Sequence, residues 1–122
     1  MPGILWAVIK SAVQADPVYP VGTPHHITLQ FGVEREDWEH LIGTELTVEA
    51  IAHCHNERVQ AIAVVLPVWC PRQNAYPHIT VSWVPDANPV ESNQMLATWH
   101  HRKKVSYPVQ TVIEWLEWEK IE

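Results

Sequence analysis

The sequence predicts an α+β fold in which two antiparallel sheets each contribute one histidine-bearing strand to a shared cleft. Runs of β-forming residues recur along the chain, and two short stretches have the apolar spacing of helices. Two of the strands carry nearly the same motif, His-Ile-Thr-Leu at 26–29 and His-Ile-Thr-Val at 78–81. Each half of the chain is therefore predicted to form a strand, a helix and a second strand, and the motif lies on the first of these strands.

The other predicted strands lie before, between and after the two motifs. The apolar run 4–9 has the composition of a buried strand. Residues 46–54 and 59–66 read as two strands, and the polar residues 55–58 between them read as a hairpin turn. The last predicted strand covers residues 109–118.

Two short helices are predicted, one in each half of the chain. In 34–42, the residues Trp38, Leu41 and Ile42 follow one another at i, i+3 and i+4, the spacing of one helical face. Acidic residues fill the first turn of this segment, where the helix dipole favours them. Residues 89–96 form the second predicted helix.

The composition indicates one globular domain over residues 1–122. Of these residues 47% are apolar and 18% are charged, which is the range of ordinary folded proteins. The net charge of −6 disfavours attraction of nucleic acid by the molecule as a whole. A polyanionic ligand would need a local positive patch, and the candidate is the basic run 100–104, which otherwise reads as a solvated loop.

The cysteines and the N-terminal residues indicate the cellular compartment in which the protein is expected. Cys54 and Cys70 form neither a CxxC pair nor a disulfide framework, which is typical of a protein from a reducing compartment. The apolar run 4–9 is ended by Lys10 and is too short for a signal peptide or a membrane span. We therefore expect a cytoplasmic protein with no membrane association.

The paired motif is the feature that points to chemistry. In a strand, residues i and i+2 lie on the same face, so each motif presents one imidazole beside one hydroxyl. Two imidazoles that face each other across a cleft can act together, one as general base and the other as general acid. This pairing suits displacement at phosphorus, and the hydroxyls of Thr28 and Thr80 can donate hydrogen bonds to phosphate oxygens without a metal.

A single His-x-Thr in a strand carries no functional meaning by itself, because β-forming residues are expected there. The second copy changes this interpretation, since both motifs closely follow a proline, continue with an apolar residue and begin equivalent halves of the chain. The correlation favours a site built from two matching parts, with His26 and His78 as its titratable groups. Which of them is the acid and which the base stays open at this point.

The two His-x-Thr motifs, each in a strand and about fifty residues apart, resemble the signature of the two-histidine (2H) phosphoesterase superfamily. The stretch 89–96 and the acidic, Trp-rich last strand are similar to the cyclic phosphodiesterase domains of tRNA-ligase type. The resemblance implies a bilobal, pseudo-twofold fold and metal-independent hydrolysis of 2′,3′-cyclic phosphates or related phosphodiesters, with no cofactor. It also implies that His26 and His78 are the acid/base pair and that Thr28 and Thr80 bind the phosphate.

Several further residues are candidate substrate contacts. Trp6 and Tyr76 can stack on a nucleobase, and Arg72, in the loop before the second motif, can contact phosphate. Two other residues are expected to point away from the site. His25 should face the side opposite to its neighbouring motif histidine, and Trp83 lies an odd number of positions from the second motif histidine.

Other functions remain open alongside this interpretation. The chain has eight His and two Cys, and His-Cys-His at 53–55 puts two imidazoles on one strand face. The spacing typical of zinc sites is missing, so we expect no metal site. A binding module that has lost catalysis would keep the fold and sequester a cyclic nucleotide or an RNA end. Among enzymes, the substrate is an RNA 2′,3′-cyclic phosphate end, a small cyclic nucleotide or a cyclic oligonucleotide signal.

Overall fold

The computed structural model describes residues 2–98 and 102–117 of the chain. Its elements in chain order are β1 (Pro2–Ile9), β2 (His26–Glu34), β3 (Glu45–His55), β4 (Val59–Val65), β5 (His78–Trp83), α1 (Glu91–Thr98) and β6 (Arg102–Glu117). A short 3-10 helix (Arg35–Asp37) follows β2. Neighbouring strands pair antiparallel in the order β1-β2-β5-β4-β3-β6, and the pairing of β6 with β1 closes them into a barrel.

All six strands belong to one closed sheet, so the predicted α+β fold, with two antiparallel sheets in a bilobal, pseudo-twofold arrangement, is wrong. The strand that closes the sheet is β6, which pairs with β1 through residues 111–117 and with β3 through residues 102–112. Its first half is absent from the sequence prediction because residues 102–108 carry three basic side chains and a proline instead of an apolar alternation. A strand of 16 residues is long enough to reach both neighbours.

The first predicted helix, at 34–42, is also wrong. Trp38, Leu41 and Ile42 each donate their main-chain N–H to the carbonyl three residues earlier, so the segment is a series of tight turns and not an α-helix. The three side chains pack against the edge of the barrel core. Gly43 then ends the segment with a φ of 90°, a conformation that glycine adopts without strain. Apolar residues at i, i+3 and i+4 therefore belong to a series of turns in this segment and not to a helix.

The remaining predicted elements are confirmed. The N-terminal apolar run is β1, the pair of strands is the β3–β4 hairpin, and the second helix is α1. Asn56 forms the hairpin turn, because its side-chain oxygen accepts the N–H groups of Arg58 and Val59, each at 2.8 Å. Among the described residues, no helix has the length and apolar content needed to cross a membrane.

Apolar side chains cover both faces of the barrel wall. On the outer face, α1 packs against β3 and β4 through Met95 and Leu96. Because side chains alternate along a strand, residues next to an interior residue point outward. The motif histidines and threonines flank interior isoleucines, so they lie on the outer face. Fully buried members of the interior core include Leu5, Ile27, Leu29, Ile62, Ile79, Val81 and Ile113.

Candidate active site

The two motif strands are neighbours in the barrel, and they meet at one cross-strand pair, Ile27 of β2 and Ile79 of β5. Both isoleucines are fully buried. Extending the antiparallel register by one residue to each side sets every motif histidine opposite the threonine of the other motif. His26 thus lies across from Thr80, and His78 lies across from Thr28. All four predicted motif residues therefore come together on the outer face of the same two strands.

The four motif side chains line a cavity of about 760 Å³ on this outer face. Strands β1, β2 and β5 form its floor, and the loop before β2 and the start of α1 form its walls. Trp6 and Trp83 add two large aromatic rings to the lining. The other residues that line it are Ile4, Gly22, Thr23, His25, Phe31, Asn74, Pro89, Val90 and Asn93. The volume and the mixture of apolar and polar groups are those of a small-molecule site.

His26 packs between two ring-bearing neighbours. The centroid of the Trp6 ring lies 4.3 Å from that of His26, and the Nδ1 atoms of His25 and His26 are 3.2 Å apart, within hydrogen-bond distance. Burial, which is the largest effect, and the nearby rings of His25 and His78 together lower the pKa of His26 to about 4. His26 is therefore neutral at neutral pH, the form in which an imidazole accepts a proton.

His78 is buried, and its Nδ1–H donates a hydrogen bond of 2.7 Å to the main-chain carbonyl of Tyr76. A carbonyl oxygen only accepts, so this bond keeps the proton on Nδ1 and leaves Nε2 as the nitrogen available to a substrate. Burial lowers the pKa of His78, and the Tyr76 carbonyl opposes that shift because it stabilises the imidazolium. The two motif histidines thus have different partners at Nδ1.

Thr80 is linked to α1 by a side-chain hydrogen bond. Its Oγ1 lies 3.1 Å from the Oγ of Ser92, which is fully buried. A hydroxyl can accept one hydrogen bond while it donates another, so Thr80 can accept from Ser92 and donate to a bound phosphate. Sequence reasoning missed Ser92, because a serine within a short helix gives no sign of its partner before the chain is folded.

The start of α1, which forms one wall of the cavity, is held by a capping box and an ion pair. The Asn88 side-chain oxygen accepts the N–H of Val90 at 3.0 Å, and the Glu91 carboxylate accepts the N–H of Asn88 at 2.7 Å. Arg58 donates to the Glu91 carboxylate at 2.7 Å and to Asp86 at 3.3 Å. Arg58 also holds the pKa of Glu91 below its usual value. These contacts tie the start of the helix to the turn of the β3–β4 hairpin, which contains Arg58, and to the segment after β5, which contains Asp86.

A scan against protein families matched most of the chain to one family. Residues 23–116 match the fungal tRNA ligase phosphodiesterase domain. The chain belongs to this family. It is a cyclic phosphodiesterase, a hydrolase that acts on phosphodiester bonds, and the predicted resemblance is confirmed. The matched range includes both motifs, α1 and nearly all of β6. A search of curated proteins and a search of solved structures each found no match.

Two residues of the phosphodiesterase lie in the cavity although strand alternation predicts the opposite. His25 precedes the first residue of β2, so the alternation does not extend to it, and its ring reaches that of His26. Trp83 follows a β-bulge at Val81, the extra residue of β5 opposite β4. The bulge reverses the alternation, so Trp83 shares the face of Thr80.

The three further residues predicted to contact substrate have different positions in the phosphodiesterase. Trp6 lines the cavity and packs on the first motif histidine. The main-chain carbonyl of Tyr76 accepts the hydrogen bond from the second motif histidine. The ring of Tyr76 is not among the described side chains that line the cavity. Arg72 donates to the carbonyls of Leu66 and Pro67 at 3.3 and 3.2 Å, and it is not among those side chains either.

The histidine-rich segments of the phosphodiesterase are dispersed over the barrel. Within the part of the chain that the structure describes, no three His, Cys, Asp or Glu side chains are arranged to hold a metal ion. His53 instead forms a hydrogen bond of 2.7 Å with the Tyr107 hydroxyl, and Cys54 is buried in the cluster beneath α1. Of the predicted basic run, residues 100–101 lie outside the described residues.

Proposed function

We propose that this phosphodiesterase opens 2′,3′-cyclic phosphates by metal-independent acid/base catalysis, with His26 as general base and His78 as general acid. The observation that carries the proposal is the cross-strand arrangement of the motifs, in which two imidazoles and two hydroxyls converge on one cavity. Such a site supplies a proton acceptor, a proton donor and hydrogen-bond donors for phosphate oxygens.

The proposed reaction is displacement at phosphorus by water. His26 takes a proton from the water molecule as its oxygen bonds to phosphorus. His78 gives the proton on Nε2 to the ester oxygen as the bond from that oxygen to phosphorus breaks. The product is a phosphomonoester beside a free hydroxyl. After the step His26 is protonated and His78 is neutral, and proton exchange with solvent restores both.

The hydrogen-bond partners of the two rings support this division of roles. The Tyr76 carbonyl faces the Nδ1–H of His78 and stabilises its imidazolium, the form that an acid needs. His25 lies against Nδ1 of His26 and disfavours its imidazolium, which favours His26 as the base. A bound phosphodiester carries a negative charge, which favours a proton on the histidine pair.

The threonine hydroxyls are proposed to stabilise the charge that develops on the non-bridging phosphate oxygens. Thr28 and Thr80 both line the cavity, and each lies beside one histidine along its strand and opposite the other histidine across the strand pair. Loss of one hydrogen-bond donor of this kind costs roughly 2–4 kcal/mol of transition-state stabilisation.

The lining of the cavity favours a nucleotide as the substrate. Trp6, Phe31 and Trp83 offer ring faces on which a nucleobase can stack. The volume of about 760 Å³ accommodates a ligand of nucleotide size. The tRNA ligase in the family description supports an RNA 2′,3′-cyclic phosphate end over a small free cyclic nucleotide.

Hydrolysis of a panel of 2′,3′-cyclic mononucleotides in EDTA tests the mechanism. We expect the wild type to turn over these compounds, and we expect His26→Ala and His78→Ala to lose activity while they remain folded by circular dichroism. His40→Ala is the matched control, because His40 is exposed, stacks on Trp38 and is not among the described cavity residues. Separation of the 2′- and 3′-phosphate products identifies the ester oxygen that receives the proton.

Three outcomes of this experiment would change the proposal. Near-normal rates in either folded motif variant would show that the acid/base roles are wrong. Loss of activity in EDTA, restored by a divalent cation, would contradict metal independence. Equal hydrolysis of 3′,5′-cyclic mononucleotides, assayed beside the panel as a comparison, would contradict the assigned substrate class.

A further inference from the structure

The first residues of β6 form a basic segment that the proposed reaction does not use. Arg102, Lys103 and Lys104 are consecutive and exposed, in a chain with a net charge of −6. Successive residues of a strand point to opposite faces. The three charges are therefore divided between the two faces of the barrel wall, and the cross-strand partners show which side chain takes which face.

Arg102 and Lys104 lie on the outer face. Arg102 pairs with Cys54 of β3, and Lys104 pairs with Ala52 of the same strand. Both β3 residues belong to the apolar cluster that α1 covers from outside. Arg102 and Lys104 therefore flank the helix, and we refer to these two residues as the basic pair. Side chains two residues apart on a strand are separated by roughly 7 Å, so the pair can contact successive charges of one polyanion.

Lys103 lies on the other face of the strand. Its cross-strand partner is His53, which hydrogen-bonds the hydroxyl of Tyr107, a residue of the interior core. The positive charge of Lys103 lowers the pKa of His53, together with burial of that ring, which is the larger effect. Lys103 thus has the same charge and the same strand as the basic pair but a different orientation.

The helix that the basic pair flanks also borders the reaction cavity. Val90, just before α1, and Asn93 within it line the cavity. In the barrel order, β4 and β3 separate β5, which carries the second motif, from β6. Three strand spacings of ~4.8 Å give a distance of roughly 14 Å along the wall. The cavity and the basic pair therefore share the outer face, with α1 between them.

The solvent-exposed side of α1, which lies between the cavity and the basic pair, carries no negative charge. The exposed side chains of α1 are Gln94, Ala97 and Thr98, which are all uncharged. The acidic residue of this helix, Glu91, is engaged by Arg58. Lys104 makes no ion pair with the residues that the structure describes. Its charge is therefore available to an anion from outside.

We propose that the basic pair binds backbone phosphates of a single-stranded RNA whose cyclic phosphate end occupies the cavity, with the strand crossing the outer side of α1. This inference rests on the proposed function, because it requires an RNA end in that cavity. A mononucleotide bound in the cavity does not extend over the helix to Arg102 and Lys104. An RNA strand should therefore gain binding free energy that a mononucleotide lacks, and the gain should weaken as salt is added.

The test compares two substrates and two variants at several salt concentrations. The substrates are a 2′,3′-cyclic mononucleotide and an oligouridylate that ends in a 2′,3′-cyclic phosphate. The variants are the double substitution Arg102→Gln with Lys104→Gln, and the single substitution Lys103→Gln as the matched control. All of these positions are exposed, and thermal unfolding checks that the barrel is intact.

We expect the double substitution to raise KM for the oligonucleotide roughly three- to tenfold at low salt and to leave the mononucleotide reaction unchanged. The slope of log kcat/KM against log salt for the oligonucleotide should become shallower by about 1.4, the value for two lost contacts to a single strand. Lys103→Gln should match the wild type with both substrates. Wild-type kinetics in the double variant, or an equal loss in Lys103→Gln, would overturn the proposal.

The failure of this proposal and the failure of the proposed function give different results. If the wild type hydrolyses neither substrate, the proposed function is wrong. Binding of a fluorescent oligouridylate, measured by anisotropy, then still tests the basic pair in the same variants. If both substrates are hydrolysed and the variants behave alike, the function stands and only the binding of the RNA strand by the basic pair is wrong.

Discussion

Ile27 and Ile79 face each other across β2 and β5, and in the described sheet they are the one register pair that joins the two motif strands. The other neighbouring strands are joined by longer ladders. Both side chains are fully buried, while the residues on either side of them form the cavity. The relative position of the two histidines therefore depends on how these two isoleucines pack.

Truncation of Ile79 should destabilise the fold by the amount expected for a buried core residue. We expect Ile79→Ala to lower the free energy of unfolding by about 2–5 kcal/mol, and Ile79→Val to lower it by about 0.5–1.5 kcal/mol. Urea denaturation measures both values. Val68→Ala, at a fully exposed position, is the control and should change stability by less than about 0.5 kcal/mol. A loss below about 1 kcal/mol in Ile79→Ala would show that this pair is not tightly packed.

The motif geometry could be predicted because strand alternation holds from His26 to Thr28 and from His78 to Thr80. Within those three-residue stretches, sequence spacing alone determines which side chains share a face. The prediction failed immediately outside them. His25 lies before its strand begins, and Trp83 lies beyond the bulge at Val81, so the alternation rule gave the wrong face for both residues.

The closed barrel could not be predicted because the sequence does not show which strands pair, and part of the pairing of β6 uses polar residues. The segment 102–108 pairs with β3, but it has the composition of a loop. A β-bulge next to Ala50 also reverses the alternation of side chains along β3. Ala50 therefore belongs to the interior core, whereas Ala52 and Cys54 belong to the cluster under α1. Such features are set by long-range pairing, which leaves no local pattern in the sequence.

Replacement of His25 should alter the pH dependence of the reaction. A base must be neutral, so kcat/KM should rise as the pH passes the pKa of His26 in the free enzyme, about 4. His25→Ala opens the ring of His26 to water and removes a repulsive neighbour, and both changes raise that pKa towards 6.5. The acid limb of the profile should therefore move to higher pH.

The control for this shift is His40→Ala, which removes an exposed histidine that stacks on Trp38. Its pH profile of kcat/KM should coincide with that of the wild type. An acid limb that stays in place in His25→Ala would contradict the role of His26 as the base.

Acid should destabilise the protein over a range set by the burial of His26. The pKa of this ring is about 4 in the folded protein and 6.5 for an unperturbed imidazole, so the unfolded chain binds its proton more readily. The stability from the neutral ring is fully present above 6.5 and is lost as the pH falls through about 4. One such group contributes a slope of at most about 1.4 kcal/mol per pH unit.

Urea denaturation at a series of pH values measures this slope for the wild type and for His26→Ala. The variant should show a flatter dependence between 6.5 and about 4, because it lacks the buried ring. The lowered pKa of His78 acts in the same direction, so some dependence should remain. Identical slopes in both proteins would show that His26 is not protected from protonation by the fold.

The hydrogen bond between Thr80 and Ser92 should make these two residues act as a unit in the reaction. Thr80→Val removes the proposed donor and should reduce kcat/KM by the equivalent of roughly 2–4 kcal/mol. Ser92→Ala keeps the donor but removes the group that orients it, so we expect a smaller loss of about 1 kcal/mol. In the double variant the loss should equal that of Thr80→Val alone, because without the hydroxyl there is nothing left to orient.

The matched comparison combines Ser92→Ala with Thr28→Val, which removes the hydroxyl of the other motif. Thr28 lies on β2, across from His78 of β5 and away from the Thr80–Ser92 hydrogen bond. The losses in kcat/KM from Thr28→Val and Ser92→Ala should therefore add within about 0.5 kcal/mol. Both cycles are measured as kcat/KM for one 2′,3′-cyclic mononucleotide. Additive losses in both cycles would show that Ser92 supports α1 in general and does not orient the Thr80 hydroxyl.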